Sequence, residues 1–122
     1  MLKHQPSLDP IFQALADPTR RGMIARLALG PASVSELAEP FDMSLPAIVQ
    51  HLQVLETSGL VASEKIGRVR TCRIEPDALL NARDWLESQR AAWEARLDRL
   101  DEYLKDLQAK EKKHGRKRKT RT

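Results

Sequence analysis

Apolar residues recur at helical spacing along most of this chain, and they alternate as in extended strands only over residues 60–74. The helical stretches carry clear start signals. Asp17 is placed to cap a helix that has proline at its first position, and Ser33 and Glu36 have the spacing of a capping box before a short helix. An earlier helix is predicted around "IFQALA", and a long final helix begins near Ala78. The pattern therefore predicts a mainly α fold.

The most informative region is a helix followed directly by two short strands. The helix is predicted between Ser44, as its cap, and Gly59, as its left-handed end. The strands lie in "LVASEKIGRVRTCRI", with a turn at Gly67 and Arg68. A short helix, a turn, a second helix and a hairpin form a winged helix-turn-helix, in which the second helix enters the DNA major groove. We therefore predict this fold, with the hairpin as its wing, over residues 1–108.

The helix after Ser44 has an apolar side and a polar side. On a wheel of 100° per residue, one side holds an apolar stripe: Leu45, Ile48, Leu52 and Leu55. The other side holds Pro46, Ala47, Gln50 and Gln53, with His51 at the boundary. On this pattern alone, an ordinary amphipathic surface helix is an equal alternative. The flanking elements favour a DNA-reading helix.

Two arginines of the predicted wing, Arg68 and Arg70, are candidates for phosphate or minor-groove contacts. The alternative is that they are solvated, as charges on a hairpin usually are.

The final helix carries an apolar residue every seven positions. Leu79, Leu86, Trp93, Leu100 and Leu107 form this series, and Leu97 and Leu104 supply the alternate spacing of a coiled coil. We expect this seam to pack against a second copy together with the first helix. The predicted dimer interface comprises Ile11, Phe12, Leu15, Trp93, Leu97, Leu100 and Leu104.

Charge is distributed unevenly along the chain. Residues 110–122 hold eight Lys or Arg and one acid, a net of +7, whereas the whole chain is +4. The remainder is therefore mildly acidic, at −3 by difference, so the high pI does not itself show that the domain binds nucleic acid. Residues 109–122 are predicted to be a disordered basic tail, which either neutralises DNA phosphates or serves only solubility.

Residue types needed for metal binding or catalysis are sparse. The histidines His4, His51 and His114 are dispersed, and Cys72 is the single cysteine. We therefore predict no metal site and no cofactor. Cys72 on a strand is expected to be a small buried hydrophobe, with a thiol switch as the alternative. No nucleophile–base pair or phosphate loop is evident, so no enzyme activity is predicted. The absence of a long apolar run and of a signal-peptide pattern predicts a cytoplasmic protein without a membrane partner.

Three segments resemble the ArsR family of bacterial transcriptional repressors: "LADPTRRGMIARL", "SVSELAEPFDMSLPAIVQHLQVLETSGLV" and "GRVRTCRI". The similarity covers roughly residues 8–108. It implies a homodimer that binds a palindromic operator in double-stranded DNA and represses transcription. The family's metal-binding Cys-x-Cys is replaced by "SELAEPF", and the resemblance names no small-molecule or protein effector.

The resemblance also implies roles for single residues. Ser44 would cap the reading helix and touch a phosphate, and Ala47 and Gln50 lie where base-reading side chains occur. Gln50 is the best reader, since an amide pairs bidentately with adenine. His51 matches a histidine that commonly contacts the DNA backbone, with a packing role as the alternative. The predicted DNA-binding residues are Ser44, Pro46, Ala47, Gln50, His51, Arg68 and Arg70.

The chain departs from the family pattern at the start of the reading helix. Leu45, Pro46, Ala47 and Val49 stand where Ser, Thr or Gln often occur. This departure gives DNA shape more weight in recognition. A winged-helix module for protein interaction, without specific DNA readout, is the alternative function.

Overall fold

The computed structural model describes residues 7–120 of the chain, and the side chains of residues 7–114. The described elements are α1 (Leu8–Leu15), α2 (Pro18–Leu27), β1 (Ala32–Ser33), α3 (Val34–Ala38), α4 (Leu45–Thr57), β2 (Val61–Ile66), β3 (Val69–Ile74) and α5 (Pro76–Thr120). They divide into two compact units, Met1–Asp84 and Trp85–Thr122. Within residues 7–120, no helix combines the length and the apolar character that spanning a membrane requires.

The core of the first unit draws apolar side chains from its helices and its sheet. The fully or almost fully buried residues are Ile11, Ala14, Met23, Leu27, Ala32, Leu37, Ile48, Leu52, Leu55, Leu60, Val61, Cys72, Ala78 and Ala82. Three of the four residues of the predicted α4 stripe are among them. The fourth prediction, Leu45, is wrong: its side chain is 53% exposed, because the first residue of α4 lies one turn before the part of the helix that packs on the core.

Short-range hydrogen bonds fix where the helices begin. The backbone N–H of Arg20 donates to Asp17 Oδ2 at 3.0 Å. The capping box of α3 is complete, because the Glu36 N–H donates to Ser33 Oγ and the Ser33 N–H donates to the Glu36 carboxylate. The Ala47 N–H donates to Ser44 Oγ at 3.3 Å. These caps satisfy N–H groups that lack a helical partner, and all three are as the sequence predicts.

The end of α4 turns the chain sharply into the wing. Gly59 has φ of +85°, a conformation that costs glycine little. Its N–H donates to the Glu56 carbonyl at 3.0 Å, and the Leu60 N–H donates to the Leu55 carbonyl at 3.1 Å. This pair of bonds is a Schellman motif. It starts β2 directly after α4, so the reading helix and the wing are adjacent in space as in sequence.

The wing belongs to a three-stranded antiparallel sheet in the order β1-β3-β2. Gly67, with φ of +63°, and Arg68 form the two-residue turn between β2 and β3. Only the first turn residue has positive φ, as in a type II′ turn. Strand β1 pairs Ala32 with Cys72 and was not predicted, because two residues are too few to show an alternating pattern. The predicted winged helix-turn-helix is confirmed.

Helix α5 continues to Thr120, so the predicted disorder from residue 109 is wrong over the described part of that segment. Lys, Glu, Gln, Ala and Asp dominate residues 105–114, and all but Asp among these residue types have high helix propensity. High charge predicted disorder, but it does not oppose a helix that continues from a longer one. Residues 121–122 of the predicted tail lie outside the described residues.

The predicted interface residues of α1 differ in exposure. Ile11 is 0% exposed within the single chain, so its assignment to the dimer interface is wrong, since it has no surface left for a partner. It shares the inward side of α1 with Ala14. Phe12 and Leu15 are half-buried and retain outward surface.

Candidate nucleic-acid interface

The outer face of α4 is open to solvent along its whole length. Ser44 caps the helix and Pro46, its second residue, needs no hydrogen-bond partner for its nitrogen. Pro46, Gln50 and Gln53 are exposed, and Ala47 is half-buried. The buried stripe of the same helix holds this face outward. The first two turns of α4 therefore offer side chains that a ligand can reach without any rearrangement of the core.

An open cleft of about 630 Å³ adjoins this face, between α4 and α1. Pro10 and Gln13 line it from α1, and Gln50, Gln53 and Val54 line it from α4. The side-chain amides can both donate and accept hydrogen bonds. The lining of this cleft is mostly apolar, and the exposed amide of Gln50 is one of the groups in it that could pair with a flat polar partner such as a base edge.

His51 is tied to the rest of the domain through Arg20. Arg20 Nη1 lies 3.2 Å from His51 Nδ1, and arginine can only donate, so Nδ1 accepts and the neutral ring carries its proton on Nε2. The same guanidinium donates to the Ala14 and Gln13 carbonyls at the end of α1, at 2.7 and 3.1 Å. His51 therefore has a packing role through Nδ1, while a phosphate contact through Nε2 stays a prediction.

Arg20 itself was missed as a site residue, although its signal was present in the "DPTR" segment. Its backbone N–H, hydrogen-bonded to the Asp17 carboxylate, lowers the pKa of that carboxyl below its usual value, with His51 and the Arg20 charge adding to the effect. One residue thus joins the start of α2, the end of α1 and the middle of α4. Arg20 therefore holds α4 against α1 and α2.

Arg70 is held within the domain by hydrogen bonds to Glu56 and Ser63. Its Nη2 donates to both carboxylate oxygens of Glu56, at 2.5 and 2.7 Å, and its Nε donates to Ser63 Oγ at 2.8 Å. Ser63 Oγ in turn donates to Glu56 Oε1 at 2.7 Å. These donors of Arg70 hold the wing to the end of α4, and its predicted contact with DNA stays a prediction. We call Glu56, Ser63 and Arg70 the wing clamp.

Arg68 stands at the tip of the wing, and its predicted contact with a phosphate or the minor groove stays a prediction. It is exposed in the turn, between Ile66 and Val69, which are also exposed. Among the described side chains it takes part in no ion pair. The tip therefore presents a positive charge that is available to a phosphate.

The apolar seam of α5 remains exposed in the single chain. Trp93 is 56% exposed and Leu100 is 52% exposed, and Leu97 and Leu104 are also among the exposed large apolar residues. Ion pairs along the same helix, such as Arg90 with Glu87 and Glu94, add to its polar surface. An apolar stripe at heptad spacing on a charged helix is a surface that favours burial against another helix.

Comparison with known proteins identifies the family. The sequence profile of a helix-turn-helix domain matches residues 15–64. The HTH-type transcriptional regulator Rv2034 of Mycobacterium tuberculosis is 44% identical over 81 residues, which are 66% of this chain and 76% of that protein. The crystal structure of the ArsR family transcriptional regulator RHA00566 is 51% identical with a TM-score of 0.70, over 77% of this chain and 97% of that one. The chain belongs to the ArsR family of transcriptional regulators.

A further solved structure is similar to this chain. The homodimeric winged helix-turn-helix DNA-binding domain of Mb0332 from Mycobacterium bovis, a possible ArsR-family regulator, is 28% identical with a TM-score of 0.55. The match covers 68% of this chain and 79% of that domain. Within the chain described here, the matched helix-turn-helix profile includes α3 and α4, the elements that present the exposed face.

In this ArsR-family chain, no three His, Cys, Asp or Glu side chains of the described residues lie close enough to hold a metal ion. Cys72 is 0% exposed on the central strand, and burial raises the pKa of its thiol. A protonated, inaccessible thiol is unreactive, which agrees with the interpretation of Cys72 as a small buried hydrophobe.

Proposed function

We propose that this chain is a homodimeric repressor that binds a palindromic operator and reads its sequence through α4. The observation that carries the proposal is the arrangement of α4: Ile48, Leu52 and Leu55 are buried in the core, and the face that carries its amides is exposed beside a wing that ends in Arg68. A helix held in this way, next to a hairpin with a positive tip, fits the major groove and the neighbouring backbone.

The chemistry of the α4 and wing residues suggests different roles for them in DNA binding. Gln50 is exposed on the second turn and is the proposed base reader, pairing with an adenine. Ser44, Arg68 and His51 Nε2 are proposed to position the domain on phosphates, which fixes orientation without reading sequence. Arg70 is proposed to act indirectly, by holding the wing through Glu56.

The homodimer is proposed from the exposed seam of α5, with Phe12 and Leu15 of α1 as additional contacts. Trp93, Leu97, Leu100 and Leu104 leave about half of their surface in water in the single chain, and burial of apolar surface drives association. A two-fold symmetric dimer presents two copies of α4, which accounts for a palindromic site. We place the regulator in the cytoplasm, where its DNA target would be.

Selection of binding sites from random double-stranded DNA with the full chain tests the proposal. We expect an inverted repeat to be enriched, and a reporter promoter that contains it to be silenced when the protein is present. Gln50→Ala should lose about 1–3 kcal/mol of discrimination at one position in each half-site, the range for a bidentate base contact.

The matched control is Gln89→Ala, because Gln89 carries an exposed side-chain amide on α5. This variant should bind DNA as the native chain does. If no sequence is enriched, the proposed sequence-specific function is wrong. If Gln50→Ala weakens binding to all sequences equally, Gln50 is a positioning residue instead.

A further inference from the structure

The start of α4 is more apolar than a polar ligand would favour. Leu45 is 53% exposed, Pro46 is exposed, and Ala47 and Val49 are half-buried. Met43, just before the cap, is 38% exposed. Single exposed apolar residues need no explanation, but here consecutive ones stand at the part of a recognition helix that meets base edges. We call Leu45, Pro46 and Val49 the apolar tip.

Helix geometry orders the tip relative to the amides. Leu45 and Val49 are four residues apart and Pro46 and Val49 are three apart, so the tip extends from the edge of the core stripe, at Leu45, to the side of α4 that carries Gln50, at Pro46. Gln50 lies four residues after Pro46, on the same side and farther along the axis. The face that a base pair would meet is therefore apolar in the first turn and polar in the second.

The apolar tip has no hydrogen-bonding side-chain atoms, so it can recognise a base only through apolar contact. In the major groove, the C5-methyl group of thymine is the apolar feature that a side chain can touch. A cytosine at the same place would present an amino donor with no acceptor opposite it, and an unpaired buried donor is costly. Apolar contact with the methyl group of thymine and the cost of burying the amino group of cytosine therefore both favour thymine.

We infer that Leu45, Pro46 and Val49 read thymine methyl groups, next to the base pair read by Gln50. This inference rests on the proposed function and names the bases that it requires. The tip spans four helical steps, about 6 Å along the axis, which corresponds to roughly two base-pair steps. Each half-site should therefore carry two adjacent thymines beside the adenine of Gln50.

Replacement of thymine by deoxyuridine tests the inference, because it removes the methyl group alone. The probe is the operator found by selection, with deoxyuridine at the two predicted thymines of each half-site. The native chain should bind it about fourfold more weakly for each methyl removed, the equivalent of one methyl transferred out of an apolar environment. Deoxyuridine at thymines outside the half-sites should leave affinity unchanged.

A protein variant assigns the effect to the tip. Leu45→Ala should bind the native operator more weakly and should lose most of its sensitivity to deoxyuridine at one position of each half-site. The control is Leu29→Ala, which removes the same side chain from a position after α2 where Leu29 is 85% exposed. This variant should keep the full sensitivity to deoxyuridine. The deoxyuridine measurement uses the native chain, so it stands even if the Leu45 variant folds poorly.

The outcomes separate this inference from the proposed function. If selection yields an operator that the native chain binds equally with thymine and deoxyuridine, the methyl readout is overturned while specific binding stands. Equal sensitivity of Leu45→Ala and the native chain would also overturn it, since the methyl groups would then act through DNA shape. If selection yields no operator, the proposed function fails, and the inference fails with it.

Discussion

Removal of the wing clamp should destabilise the domain by an amount that a double-mutant cycle can isolate. Arg70 donates two hydrogen bonds to Glu56, which lies 14 positions earlier in the chain, and one to Ser63. The perturbations are Glu56→Gln, Arg70→Met and the two together. Each single change removes one charge, and Met keeps most of the apolar stem of Arg70.

The expected coupling is intermediate between an exposed and a buried ion pair. The side chains of Arg70 and Glu56 are 38% and 24% exposed. Fully exposed pairs contribute about 0–1 kcal/mol, and hydrogen bonds to charged groups contribute about 1.5–3 kcal/mol. Contacts from Nη2 to both oxygens of Glu56, with partial burial, favour a coupling of about 1–2 kcal/mol between these ranges.

The assay is urea unfolding of all four proteins at one protein concentration, because dimerisation makes apparent stability concentration-dependent. The ion pair of Arg73 and Glu75 is the matched control. It has a single 3.3 Å contact between side chains that are 49% and 39% exposed, so its cycle should give about 0–0.5 kcal/mol. At about 0.5 M salt the control coupling should vanish, whereas the clamp should keep most of its own.

A coupling for Glu56 and Arg70 no larger than that of the control pair would refute the clamp as a stabilising contact. Arg70 would then be free to bind DNA, as its place in the wing suggests. Operator affinity of Arg70→Met distinguishes the two roles further. A decrease shared equally by Glu56→Gln indicates positioning of the wing, whereas a decrease confined to Arg70→Met indicates a direct contact.

Three further predictions concern the seam, acid stability and the basic end of the chain. Replacing Trp93 and Leu100 with Asp should give monomers or unfolded chains in light scattering, and a stable dimer would contradict the proposed interface. The backbone N–H of Ser33, with its hydroxyl group, lowers the pKa of Glu36 below its usual 4.5. The capping-box hydrogen bond therefore stabilises the fold above that pH, and this stabilisation is lost as pH falls through the folded-state pKa of Glu36. The urea midpoint of Glu36→Gln should therefore fall less steeply between about pH 6 and pH 3 than that of the native chain. An equally steep fall in both proteins would argue against a stabilising capping box. Deleting residues 110–122 should make the slope of log affinity against log salt shallower by about 0.9 for each phosphate that the segment neutralises, and an unchanged slope would show that the segment does not touch DNA.

Local chemistry explains which parts of the fold could be predicted from sequence. The caps at Asp17, Ser33 and Ser44 depend on residues three positions away, so the signal and its partner lie in one short window. The end of α4 at Gly59 is equally local, because only glycine adopts that conformation without strain. The order of such elements was enough to predict the winged helix-turn-helix.

Residues whose role depends on distant partners could not be assigned in this way. Arg70 and Glu56 are 14 positions apart, and Arg20 and His51 are 31 apart. Neither pairing can therefore be recognised from the periodicity of the sequence. Exposure at the margin of a helix stripe is also a tertiary property. Periodicity placed Ile11 and Leu45 on the wrong sides of the core boundary for this reason.

The position of Cys72 offers a way to observe opening of the core without altering the protein. The thiol is fully buried on the middle strand of the sheet, between β1 and β2. Reagents that modify thiols can reach it only when the core that packs against this face of the sheet opens. The rate of modification, compared with that of an unfolded peptide, therefore gives the free energy of that opening directly. Measured with and without operator DNA, this rate would show whether the core is as closed in the free regulator as it is on its target.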